Sequence, residues 1–278
     1  MYAQRVFKSK IIRILLFITF FVFCFSCTLL KSDKHVLIIQ DEKTQMEVLA
    51  EFLKEKGKIG VTIVNQDSLP ENFAIFDAVI GYIHRDLEEK TELKIIEYTQ
   101  KGGRYICLHH SISSGKAKNK YYFDFLGIRL DNPENSRNPV EPGGGYGWRH
   151  DGEKGVTLTL VNLNPEHYIT NHKIQWGKPV IYTPSDFPSV EGMYPSILFE
   201  KSEVYLNHKF TDGRQKIVLC GMKFYDDRNG CLFMQDRAVW IKRQGKGEII
   251  YFMPGHSVLD FKNQNFAQMI LNAIEWEK

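Results

Sequence analysis

Cysteine is scarce in this chain, and beyond the N-terminal pair Cys24 and Cys27 none of it is spaced for metal. Cys107, Cys220 and Cys231 form no Cys-x-x-Cys and no Cys/His pair at ligand spacing, which excludes a structural zinc module. No Cys or Ser stands between glycines at a strand-to-helix turn, as the nucleophile elbow of an amidotransferase or α/β-hydrolase requires. The candidate turn reads Leu108-His109-His110-Ser111, and Ser111 is expected to be a helix cap. Gly143-Gly144-Gly145-Tyr146-Gly147 follows no strand and lacks the Lys-Ser/Thr pair, so it is not a phosphate loop. It is expected to be a mobile lid or a substrate-facing turn. No internal repeat and no low-complexity tract is present.

Long apolar runs are missing too. The longest, from Ile14 to Phe25, is shorter than the roughly 20 residues of a spanning helix. It follows Arg5, Lys8, Lys10 and Arg13 with no acid, and it ends in Ser26-Cys27. A basic start, a short apolar core and a small residue describe a secretory signal. The Cys after the small residue suggests a lipoprotein form, with residues 1–26 removed, Cys27 acylated and residues 27–34 a polar tether. An uncleaved N-terminal anchor is the alternative. The whole chain carries 36 basic and 33 acidic residues, and losing the four basic residues of the signal leaves 32 against 33. A balanced chain without clustered Lys and Arg excludes the electrostatic footprint of a nucleic-acid binder.

Residues 35–278 are long enough for one domain with a sizeable core. Short apolar runs at 35–39, 61–64, 76–83 and 105–108 alternate with helical patterns at 45–56, closed by Gly57, and 88–100. This alternation predicts an α/β fold: a flavodoxin-like, mostly parallel sheet with helices on both faces. The second half adds strands at 156–161, 203–210 and 216–222. A hairpin at 238–253 turns on Gly245-Lys246-Gly247, and 261–276 reads as a closing helix. Residues 121–127 read as a short helix and 132–147 as a long loop, a kind that is often functional. Among the cysteines left after processing, Cys220–Cys231 is the only pair close enough in sequence to suggest a disulfide. Cys107, inside an apolar strand, reads as inert and buried.

Two of these strands come after a glycine break and run into histidine. Gly102-Gly103 precedes the strand ending at His109-His110, and Gly245-Lys246-Gly247 precedes the one leading to His256. Parallel strands deliver the residues at their carboxyl ends to one crevice, so residues almost 150 positions apart are expected to share a site. His84 comes after the 76–83 strand in the same way. Clustered imidazoles bind metal or move protons near neutral pH; a lone His at a strand end more commonly bonds backbone. His109 and His256 are the leading candidates, and with a carboxylate they would hold a divalent metal.

In order along the chain, several segments resemble the ThuA-like (trehalose utilisation) family. They are the 76–83 strand, Gly102-Gly103 through Leu108-His109, and Asn164-Pro165-Glu166-His167-Tyr168-Ile169-Thr170 with Tyr168 in place of proline. Next come Glu203-Val204-Tyr205 preceded by Ser202 in place of Asp, and Val239-Trp240 to Gly255-His256 with Ile274-Glu275-Trp276. The resemblance implies a class I glutamine amidotransferase-like scaffold without its Cys, and a role in sugar metabolism near sugar oxidoreductases and 3-keto-sugar chemistry. By matched position it implies His109, Glu203, Tyr205 and His256 as catalytic residues and adds His150. His84, His110, Tyr82, Trp148 and His150 are the expected substrate-binding residues, with aromatic faces, Tyr146 and Tyr205 included, for sugar stacking. The expected activity is acid/base or metal-assisted chemistry on a small carbohydrate by a lipid-anchored envelope protein. A non-catalytic sugar-binding accessory lipoprotein is the alternative. A degenerate scaffold for protein contacts would leave the histidines unexplained.

Cys27→Ser is expected to shift the protein from the membrane to the soluble fraction, since acyl chains would hold it by about 0.8 kcal/mol per buried methylene. Retention in the membrane fraction would identify an uncleaved helix instead.

Overall fold

The glycine breaks singled out in the sequence lie against each other. In the computed structural model, which describes residues 34–185, 190–213 and 216–277, a Cβ on Gly247 would stand 2.1 Å from the Gly103 carbonyl oxygen. Only glycine fits so close to backbone. Gly245, at φ +59°, turns the chain beside Gln100, and the Lys246 amide donates to the Gln100 carbonyl. The two strands beyond these breaks therefore start level. Cys27, the signal and the tether up to residue 33 lie outside the described residues.

Nine strands form one sheet. In chain order they are β1 (His35–Gln40), β2 (Gly60–Val64), β3 (Ala78–Tyr82), β4 (Arg104–Leu108), β5 (Val156–Asn162), β6 (Ser196–Ser202), β7 (Lys216–Asp226), β8 (Cys231–Gln244) and β9 (Gly247–Phe252). Their spatial order is β6-β5-β7-β8-β9-β4-β3-β1-β2. The five strands from β9 to β2 are parallel; the other four are added antiparallel. The result is the mostly parallel α/β sheet with extra second-half strands that the sequence predicts. β4 and β9 pair from Arg104 opposite Glu248 to Leu108 opposite Phe252, so both end at one edge.

Helices α1 (Lys43–Gly57), α2 (Glu89–Gln100), α3 (Tyr122–Leu126), α4 (Tyr168–Asn171), α5 (Val258–Lys262) and α6 (Gln264–Glu275) cover the sheet. Helices α1, α5 and α6 pack together, and α2 packs on α3, β4 and β9. Helix α1 buries Met46, Leu49, Ala50, Phe52 and Leu53, one face at helical spacing. At the amino end of the strand pair, Arg104 binds Glu248 at 2.5 Å and donates to the Ile274 and Trp276 carbonyls. The last helix is thereby fastened to the two strands that carry the site. Among the described residues, no helix is long and apolar enough to cross a membrane.

Several boundaries differ from the sequence reading. Lys58, not Gly57, takes the left-handed cap of α1; Gly57 is small because a Cβ there would meet the Leu271 side chain at 2.6 Å. The expected 203–210 strand is two short pieces, Val204–Leu206 against Gly147–Arg149 and Lys209–Phe210 against Ile128–Arg129. Asn207, at φ 60°, breaks it. The expected 261–276 helix is two, because the Asn263 side chain accepts from the Asn265 and Phe266 amides and starts α6 afresh. Cys220 and Cys231 are both free: register sets them opposite Val239 and Asp226, six residues apart along β7. Ser111 caps nothing; it lies inside a 3-10 turn and donates to the Leu108 carbonyl.

Cys107 is fully buried in β4, and burial pushes its thiol out of the reactive range. Cys107→Ala is expected to cost about 1 kcal/mol in urea unfolding and to leave ligand binding intact. Lost activity with unchanged stability would make it a nucleophile.

Candidate functional site

Strand ends build the site. Leu108 closes β4, and His109 opens a tight 3-10 turn, His109–Ile112, with φ at 38°. A non-glycine residue in this region stores strain of about 1–3 kcal/mol, commonly at functional sites. The positive φ turns the chain sharply after β4 and places the imidazole in the interior. From the paired strand β9, Met253-Pro254-Gly255 leads to His256. The Asp260 carboxylate holds that bend by accepting from the amides of Gly255, His256 and Ser257 and from the Ser202 hydroxyl. Ser202 therefore supports the His256 loop through Asp260.

Glu203 Oε2 is the focus. It lies 2.9 Å from His109 Nε2, 3.3 Å from His256 Nδ1 and 3.8 Å from His110 Nδ1. The Tyr205 hydroxyl donates to it at 3.2 Å. Burial opposes ionisation of Glu203, but the adjacent His109 and His256 imidazoles and the nearby His110 outweigh it. Its pKa falls well below the usual carboxylate range. His109 Nδ1 lies 2.5 Å from the Met253 carbonyl. A carbonyl only accepts, so Nδ1 carries a proton. Nε2 and the carboxylate are then two acceptors at hydrogen-bond distance unless a proton or a cation lies between them.

The spacing suits a cation. Ligands around a tetrahedral ion with bonds of about 2.0–2.2 Å stand about 3.4 Å apart. The three Glu203 distances bracket that value. One ligand atom each from His109, His110, Glu203 and His256 lies within 4.8 Å of the others. His256 Nδ1 is buried without a hydrogen-bond partner, and the Met253 carbonyl orients His109 as metal-bound histidines usually are oriented.

The expected residues divide by depth. His109, His110, Glu203 and Tyr205 are buried; His256, His150 and Trp148 are partly exposed and form the approach. His150 packs on His256 with ring centroids 4.2 Å apart. Tyr82, expected to bind substrate, is fully buried. It packs against His110 and donates to the Gly255 carbonyl, so its face is closed to sugar. Tyr146 and Tyr205 are likewise interior and stacked on each other. Trp148 keeps a partly open ring, 5.6 Å from the Arg137 guanidinium. His84 is more than half exposed and joins the cluster only through Glu42 and His110. The Gly143–Gly147 turn is not free: the Asn207 side chain accepts from the Gly143 amide and donates to the Glu141 and Gly145 carbonyls.

Three positions that shape the site escape sequence reading: Glu42, Asp260 and Asn207. Glu42 stands just before α1 and bonds His84 at 2.9 Å. Only its place after the β1 strand end could have pointed to it.

A family model described as ThuA, trehalose utilisation, matches residues 33–277. The fold is similar to a ThuA-like protein from Bacteroides uniformis ATCC 8492, with a TM-score of 0.53 and 14% identity, covering 89% of this chain and 92% of that one. It is also similar to a cold-adapted β-galactosidase from Rahnella sp. R3 (TM-score 0.48, 16% identity), covering 86% of this chain but 31% of that one. A glutamine amidotransferase from Thermotoga maritima aligns at a TM-score of 0.41 and 11% identity over 80% of this chain and 75% of that one. No curated protein matches the sequence.

Tyr205→Phe removes a buried hydroxyl that touches both Glu203 and His110. It is expected to destabilise the fold by about 1–2 kcal/mol in urea unfolding. An unchanged midpoint would mean that neither neighbour depends on the hydroxyl.

Proposed function

The chain belongs to the ThuA, or trehalose utilisation, family, and from that premise we propose that it acts on a small carbohydrate at the His109–Glu203–His256 centre. The reaction is proton transfer at or beside a sugar carbonyl. The observation that carries this reading is the Glu203 oxygen held within 3.8 Å of three imidazole nitrogens in a buried site. His109, His256 and Glu203 would hold a divalent metal, which when bound supplies polarisation of a carbonyl oxygen. His109 is kept in one orientation by the Met253 carbonyl. Tyr205, buried behind Glu203, is a positioning residue. His150 stands outside the converging ligand atoms, beside His256 on the open side, and is the imidazole placed to move the substrate proton. Substrate reaches the centre past His256, His150 and Trp148, which are its partly exposed members.

Acylation at Cys27, and with it an envelope location on the periplasmic or surface side of a bacterial membrane, is part of the same proposal and rests on the order of residues 5–27. A sugar oxidoreductase of the same pathway would supply the keto-sugar. These assignments are tested with purified protein and a keto-derivative of trehalose in deuterated water, with hydrogen exchange beside the carbonyl read by NMR. Glu203→Gln and His150→Ala are expected to slow exchange by about 10²–10⁴-fold. Binding of the sugar without exchange in the wild type would favour the non-catalytic accessory reading.

A further inference from the structure

We propose that Glu42, His84 and His110 form a second divalent-cation site, of the zinc class, on the outer side of His110. One ligand atom from each of the three lies within 4.8 Å of the others. The site goes beyond the reading above and does not require an ion at Glu203.

His110 carries the argument. Its ring is 1% exposed, and its two nitrogens face different groups. Nδ1 lies 3.0 Å from the Tyr205 hydroxyl. That hydroxyl has one proton, which it gives to Glu203, so it accepts from His110 Nδ1. Nε2 is then a bare lone pair, buried and without a hydrogen-bond partner, and the Glu42 carboxylate lies 3.6 Å away from it. A buried lone pair left unpaired beside a carboxylate is unfavourable. A cation between them turns both into ligands. The arrangement matches His109, whose Nδ1 is bound by Met253 while Nε2 faces Glu203. A metal-binding histidine usually gives its second N–H to an outer acceptor.

The third ligand is already in place. His84 Nδ1 is 2.9 Å from Glu42 Oε1, and its ring stacks on His110 at 4.2 Å. Its backbone is pinned from both sides. Asp41 accepts from the His84 and Arg85 amides, and the buried Lys116 ammonium donates to the Ile83, His84 and Arg85 carbonyls. An ordinary surface ion pair needs no such clamp. Two imidazoles and one carboxylate, with the exposed side open to water, are a donor set that suits zinc or cobalt.

The test is metal content. The purified protein is stripped with a chelator, loaded with Zn(II), dialysed and assayed by plasma emission, with Co(II) spectra in parallel. Wild type is expected to hold two ions per chain, and His84→Ala and Glu42→Gln one each. Because His84 is exposed, His84→Ala should melt within about 2 °C of wild type. His256→Ala should also hold one, and the His84→Ala/His256→Ala double variant none. Unchanged metal content in both His84→Ala and Glu42→Gln overturns the site, as does a wild type that binds no zinc. A single ion lost in His84→Ala but kept in His256→Ala would uphold this site while removing the metal from the Glu203 centre.

Discussion

The level start of β4 and β9 is the constraint on which the rest of the molecule depends. Gly247 sits against the Gly103 carbonyl where no Cβ fits, and Arg104 ties Glu248 and the end of α6 at the same place. Parallel pairing then carries the register five residues along to Leu108 and Phe252. A slip of one residue would turn every side chain to the other face. His109 would leave the Met253 carbonyl, and Glu203 would lose its shortest partner.

This register assembles a buried carboxylate surrounded by imidazoles. A carboxylate withdrawn from water is costly unless it is paired and hydrogen-bonded. Here the compensation comes from three separate segments, the β4 turn, the β9 loop and the 203–205 ribbon, and His110 links them through Glu42 and His84 to the ends of β1 and β3. The turns around the cluster are anchored by polar devices: Asp260 for the His256 bend, Lys116 and Asp41 for the His84 turn, Asn207 for the glycine turn. The strained φ of His109 is tolerated because the Met253 and Glu203 contacts hold both ring nitrogens. Rigidity around the cluster and openness at His256, His150 and Trp148 give a site that is preorganised within and accessible from one side.

The turn after β4 is strained at His109, where φ is 38°, and the thiol two residues earlier, Cys107, is sealed in the core. The side chain this turn presents to the buried cluster is an imidazole, placed there by the same pairing that sets β4 level with β9.

Strand and helix periodicity, the glycine breaks and the histidines after strand ends are local patterns, and they were enough to predict the parallel half of the sheet and the meeting of His109 with His256. Those features come from side-chain alternation and from the rule that parallel strands end on one edge. The tertiary structure decided what depends on contacts distant in sequence. Asn207 split a run that alternates like one strand, because its side chain is needed by the 141–145 turn. Asn263 divided an apolar helical pattern that has no internal break in hydrophobicity. Tyr82, Tyr146 and Tyr205 read as sugar platforms by type, but packing closed their faces. Glu42 and Asp260 look like any other acid in the sequence. Their roles come from which amides and imidazoles the fold brings within hydrogen-bond reach, and linear spacing carries no trace of that.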